Sequence, residues 1–239
     1  MNATNDKRGF SHIETWVFDL DNTLYPHSVD IWKQVNDLIR GYIENFLKVP
    51  PEEATRIQKD YYLRYGTSMR GMMAEHNMPH EEYLEAVHKI DHSLIAPNPR
   101  LGAAIEKLPG RKLILTNGTR KHADAVVARL GLHTHFEDTF DIVAADLEPK
   151  PAQQTYEKFL KLHNVAPERA AMFEDLARNL EVPYALGMTT VLIAPPPGFE
   201  GPAEGARQKW ENAGRDAAHV DYVTDDLAEF LEGVISEKK

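Results

Sequence analysis

The chain has 239 residues, 42% hydrophobic and 27% charged, a balance that excludes wholesale disorder and a polytopic membrane protein and suits one α/β domain carrying a smaller insert. With 37 acidic against 27 basic residues, a net charge of −10, it has no long-range attraction for a polyanionic nucleic acid. The absence of cysteine excludes disulfide frameworks, thiolate metal sites and cysteine nucleophiles, leaving oxygen and imidazole as metal ligands.

The first dozen residues are polar and lack the apolar run of a secretory signal, and no later stretch approaches the ~20 apolar residues that span a bilayer. No membrane association and a cytoplasmic location are the expectations. A first buried strand is predicted at "TWVFDL". It delivers Asp19 and Asp21, with Asn22 and Thr23 directly after.

From Tyr25 to Pro99 helical spacing dominates. Ile31, Val35, Leu38, Ile39, Tyr42, Ile43 and Phe46 define one amphipathic helix. A second helix is predicted to start at Pro51 and stop at Gly66. This insert divides the chain into an α/β core over 1–24 and 98–239, and a flap with a helical cap over 25–97.

Beyond the insert, strands "KLILTN", "FDIVAAD", "AAMFED", "TTVLIA" and "HVDYVT" alternate with helices, so the sheet should be mainly parallel. One helix is "RKHADAVVARLG", with Gly131 as C-cap. Another is "PAQQTYEKFLKLH", with Pro151 in its first turn. The segment 195–216, rich in proline and glycine, reads as an irregular excursion without assigned function. A closing helix at "DDLAEFLEGVI" takes Asp225 or Thr224 as N-cap. The fold class is therefore α/β, a Rossmann-like core with an inserted helical cap.

Ligands of parallel sheets bind beyond the carboxyl ends of the strands. There the chain places Asp19 and Asp21, then Thr116, Asn117 and Gly118, then Lys150 in "EPKP", then Glu174 and Asp175. Each group alone has an ordinary reading as turn, cap or loop chemistry. Together, acids at adjacent strand ends repel one another unless a cation compensates, and hard oxygen ligands favour Mg²⁺. Lys150, Thr116, Asn117 and the backbone N–H groups of "TNGT" at a helix start would receive a phosphate dianion. The chemistry suggested is phosphoryl transfer, with Asp19 attacking phosphorus and Asp21 as general acid and base.

This constellation resembles the haloacid dehalogenase-like hydrolase superfamily: Asp19-Leu20-Asp21-Asn22-Thr23 matches its first signature, Thr116 the second, Lys150 the third, Glu174-Asp175 with Asn179 the fourth. The resemblance implies that Asp19 is nucleophile and metal ligand, that Asp21 lends its backbone carbonyl to the metal, that Asp175 is a ligand and that Glu174 assists that shell. It also implies that a second aspartate favours phosphatase over dehalogenase chemistry, because a halide leaves without a proton. "DNTLY", "YGTSMRGM", "VHKID" and "FEDLARNLEVPYALGMTTVLI" further resemble the pyrimidine 5′-nucleotidase branch, which implies hydrolysis of UMP, CMP or dTMP.

In the cap, Tyr65, Arg70 and His88 are candidates for substrate selection. His88 and His92 have the spacing of a metal pair but lack a third ligand. Arg178 would support the phosphate or pair with Glu174. The expected partner is a small phosphomonoester, with no nucleic acid polymer, no membrane and no oligomeric state assigned. A phosphatase acting on a sugar phosphate or phosphoglycolate, and a non-catalytic phosphate-binding protein, are the alternatives.

Overall fold

The computed structural model of the protein describes residues 8–196, 199 and 214–237; most of the 195–216 excursion lies outside them. Six strands, β1 (Thr15–Phe18), β2 (Arg111–Leu115), β3 (Asp138–Phe140), β4 (Ala170–Glu174), β5 (Thr189–Ile193) and β6 (Tyr222–Thr224), form one sheet in the order β3-β2-β1-β4-β5-β6. All five pairings are parallel. Contacts divide the chain into two compact units, Met1–Val29 with Ile95–Lys239, and Asp30–Leu94.

The smaller unit is helical: α1 (Ile31–Leu47), α2 (Pro51–Tyr65), α3 (Ser68–His76), α4 (His80–Val87) and a short 3₁₀ turn, His92–Leu94. Asp30 caps α1 by accepting from Lys33 N, and Thr67 caps α3 by accepting from Arg70 N. α2 ends on Gly66 in the left-handed conformation. Ile31, Val35 and Ile43 are the buried residues of α1, whereas Phe46 is 37% exposed despite its spacing.

The α2–α3 contact depends on Gly71, where a Cβ would overlap Tyr61 Cβ and Cγ. The Tyr61 Cβ is fixed to the α2 backbone and cannot rotate away. We expect Gly71→Ala to force the two helices apart and to cost about 1–3 kcal/mol, read as a lower urea midpoint. An unchanged midpoint would show that the pair adjusts without loss.

The larger unit carries the sheet, with α5 (Pro99–Lys107), α6 (Arg120–Leu130), α7 (Gln153–His163), α8 (Glu181–Leu186) and α9 (Leu227–Glu237). Parallel neighbours require crossover connections, so β1, central in the sheet, is covered on both faces and reads as an unbroken apolar run. Val17 packs in one layer with Leu113, Met172, Tyr156 and Phe159. On the other side of β1 the Phe18 and Phe173 rings stack at 4.7 Å. Full burial of such rings contributes roughly 1.5–3 kcal/mol each.

Three local expectations are corrected. The strand predicted at "FDIVAAD" ends at Phe140, because Asp141 turns the chain: its carboxylate accepts from Arg120 N at 2.8 Å and Ala144 N at 2.9 Å. Asp146 and Leu147 then take positive φ, 54° and 64°, which no strand accommodates. Pro151 lies before α7, whose N-cap is Ala152, and follows a cis peptide bond from Lys150. The cap of α9 is Asp226, which accepts from Glu229 N at 2.9 Å, while Thr224 Oγ1 accepts from Asp226 N.

Candidate active site

The three central strands β2, β1 and β4 end side by side, and their parallel registers pair Phe18 with both Ile114 and Phe173. The next residues are therefore delivered together: Asp19 after β1, Thr116 after β2, Glu174 and Asp175 at the end of β4. Beyond Asp19 the backbone turns at once. Leu24 N donates to Leu20 O at 3.0 Å, and Asn22 sits at φ 59°. A continuing strand would hold residues 19 and 21 on one face of the sheet, spaced along it; the turn instead ends the strand at the crevice beyond the sheet.

Lys150 enters from the loop before α7 and is 2% exposed. Its ammonium donates to Asp19 Oδ1 at 2.7 Å, Glu174 Oε1 at 2.7 Å and Leu115 O at 2.9 Å. Three acceptors match the three N–H bonds of an ammonium. Asn117 fixes the Lys150 backbone from both sides: its Oδ1 accepts from Lys150 N at 2.8 Å and its Nδ2 donates to Lys150 O at 3.3 Å. The side chain expected to meet phosphate is thus turned to holding the lysine.

Glu174 is enclosed by donors. Asn179 Nδ2 reaches Oε1 at 2.6 Å and Leu176 N reaches Oε2 at 2.7 Å. Burial opposes the Glu174 charge, but Lys150, Leu176 and Asn179 outweigh it and hold its pKa below the usual value. Burial likewise opposes the Lys150 charge, and the two carboxylates overcome it, raising that pKa. Asp19 takes the remaining strain: burial, helped by Glu174 and Asp21 and opposed by Lys150, raises it to about 7.

Asp19, Glu174 and Asp175 are all buried, and their oxygens lie within 4.8 Å of one another. Lys150 bonds Asp19 and Glu174 but not Asp175, so against the three carboxylates one ammonium leaves a net negative charge that a divalent cation would balance. The donor set is hard oxygen throughout, which fits Mg²⁺. Asp175 Oδ2 also accepts from Asn22 Nδ2 at 3.1 Å, and His27 Nε2 stands 3.9 Å from it. Thr23 Oγ1 donates to Asp19 Oδ2 at 3.2 Å.

Two neighbours of Asp21 were not foreseen. Tyr25 OH donates to its Oδ1 at 2.6 Å, and His122 Nε2 lies 2.8 Å from the same atom. Thr119 caps α6 by accepting from His122 N at 3.3 Å, which sets His122 in the first turn of that helix. The signal available in the sequence was the cap itself, Thr119 three residues before His122. Thr116 Oγ1 accepts from Gly118 N at 2.9 Å and is buried in the same loop.

Tyr65, Arg70 and His88 belong to the smaller unit. The Tyr65 hydroxyl donates to Glu75 and accepts from Arg64, and His88 closes α4 with Nδ1 2.8 Å from Leu84 O. Arg70 is half-buried in the first turn of α3. His92 starts the 3₁₀ turn, so it shares no helix with His88. No helix among the described residues is long and apolar enough to cross a membrane.

A family model for haloacid dehalogenase-like hydrolases matches residues 13–182. Phosphate metabolism protein 8 of Saccharomyces cerevisiae is 26% identical over 155 residues, which cover 60% of this chain and 46% of that protein, so the match spans about half the relative's length. Among solved structures, L-2-haloacid dehalogenase from Xanthobacter autotrophicus aligns with TM-score 0.61 at 16% identity, over 93% of this chain and 98% of that one. A HAD phosphatase from Thermococcus onnurineus aligns with TM-score 0.59 at 18% identity, over 93% and 98%. YfnB from Bacillus subtilis, bound to magnesium, aligns with TM-score 0.54 at 14% identity, again over 93% and 98%.

Proposed function

The chain belongs to the haloacid dehalogenase-like hydrolases, and from that premise we propose that it hydrolyses small phosphomonoesters by way of a phosphorylated Asp19. The observation that carries this reading is the second carboxylate, Asp21, set two residues after Asp19 and held by Tyr25 and His122. A halide departs without a proton, whereas an alcohol oxygen needs one. The phosphatase of the same fold and the yeast relative named for phosphate metabolism lend further support.

In this mechanism Asp19 forms a bond to phosphorus as the bond to the ester oxygen breaks, and Asp21 gives its proton to that oxygen. A water then loses a proton to Asp21 and attacks the phosphoryl group, releasing phosphate and restoring the Asp19 carboxylate. Lys150 holds Asp19 in place and Thr116 supplies a hydroxyl to the phosphoryl oxygens. Asp19, Asp175 and the Asp21 carbonyl would hold Mg²⁺, with Glu174 and Asn22 orienting that set. When bound, the ion supplies the positive charge that the acids and the phosphoryl oxygens lack.

The favoured substrate is a pyrimidine nucleoside monophosphate, a reading supported by the sequence resemblance in "DNTLY" and "YGTSMRGM". Tyr65, Arg70 and His88 are the candidate selectors, all three from the smaller unit. Phosphate release from pyrimidine and purine monophosphates, sugar phosphates and phosphoglycolate tests both levels. We expect the highest kcat/KM for UMP or CMP, loss of turnover in EDTA and recovery with Mg²⁺. Preference for a sugar phosphate would discard the nucleotide and keep the reaction. Halide release from a 2-haloacid with no phosphate release from any ester would overturn the reading itself.

A further inference from the structure

His122 and Tyr25 lie outside the four superfamily signatures, yet both converge on one oxygen. Tyr25 is 2% exposed and His122 3% exposed, so neither is a surface group that met Asp21 by chance of rotamer. Tyr25 reaches Oδ1 from the turn that follows β1, and His122 reaches it from the opposite part of the sequence, the first turn of α6. Thr119 fixes that first turn, and the ring of His122 lies along Gly118: a Cβ there would stand 3.1 Å from His122 Cδ2. The same position would be 3.3 Å from Thr116 Oγ1 and 3.8 Å from Asp21 Oδ2. Oδ1 is therefore turned toward Tyr25 and His122, and Oδ2 toward the Thr116–Gly118 loop.

We propose that Tyr25 and His122 are positioning residues that seat the Asp21 carboxylate through Oδ1 for proton exchange with the leaving alcohol. The proposal rests on the phosphatase reading above. No covalent step is added; the seat fixes how the Asp21 carboxylate is presented to the leaving oxygen.

The chemistry makes the seat matter in proportion to how badly the leaving group needs a proton. An alkoxide departs poorly without one, and a nitrophenolate departs readily. The test compares kcat/KM for an alkyl phosphomonoester and for 4-nitrophenyl phosphate, because kcat/KM for both stops at phosphorylation of Asp19 and omits the later hydrolysis. We expect Tyr25→Phe/His122→Ala to lower the alkyl value on the order of 10²-fold and the nitrophenyl value by less than about a tenth of that factor. His122→Gln, which keeps an N–H donor, should recover most of the loss, and thermal midpoints show whether each variant is folded. Equal losses on both substrates in folded protein would overturn the seat and leave the phosphatase standing. Absence of turnover by the wild type on either ester would overturn the phosphatase, and the seat with it.

Discussion

Asp19→Asn is expected to abolish phosphate release, by a factor on the order of 10⁴ or more, while the protein keeps its thermal midpoint or gains slightly. The substitution is nearly isosteric. Asparagine retains an oxygen able to accept from Lys150 Nζ, now at 2.7 Å, but it cannot form the acyl phosphate. Stability should not fall, because the site already holds three buried carboxylates against one ammonium, and removing a charge relieves repulsion. Burial, with Glu174 and Asp21 adding to it against Lys150, raises Asp19 to about 7. Parallel measurement of turnover and melting separates the two effects. Residual activity above about one part in a hundred would remove Asp19 as nucleophile.

Lys150→Met should be costly to both fold and function. Methionine fills the space of the lysine stem but leaves Asp19, Glu174 and the Leu115 carbonyl without their shared donor. Removing one partner of a buried ion pair typically costs 3–5 kcal/mol, since the other charge stays buried and uncompensated. The cost here should fall at the upper end, because two carboxylates are stranded. Lys150→Met/Glu174→Gln should recover part of the stability and none of the turnover, and urea titration of the set gives the coupling. A Lys150→Met protein as stable as the wild type would mean that the carboxylates protonate or find solvent at little cost.

Much of the architecture was legible because the larger unit obeys two periodicities at once. The apolar runs around Val17, Leu113, Met172 and Val191 are each too short for helices and each end in polar residues, so strands and their carboxyl ends could be placed. The run Ile142-Val143-Ala144-Ala145 has the same composition and was misread as strand. What decides it is Asp141, whose carboxylate collects the backbone N–H groups of Arg120 and Ala144, and a contact from another helix is invisible to local pattern. The acids and Lys150 were legible as chemical types at strand ends. The assignment of Asn117 to the Lys150 backbone, and the pairing of Asp21 with His122, depend on how α6 and the loop before α7 return to the sheet. Spacing along the chain marks Thr119 as a cap but does not show what His122 or Asn117 meets.

β1 is made early and completed late. Thr15 pairs with Arg111 on one side and Ala170 on the other, so the strand that leads to Asp19 has no partner until the whole inserted unit has been synthesised. It acquires its second neighbour only when β4 emerges. The helices of the insert close over short stretches of chain and can assemble meanwhile, whereas Trp16-Val17-Phe18 wait as an unpaired apolar segment. Placing the reactive strand at the centre of the sheet thus ties the competence of the site to the arrival of nearly the entire core: a nascent chain that stops between β3 and β4 can own Asp19, Asp21 and Thr116 and still lack the carboxylates opposite.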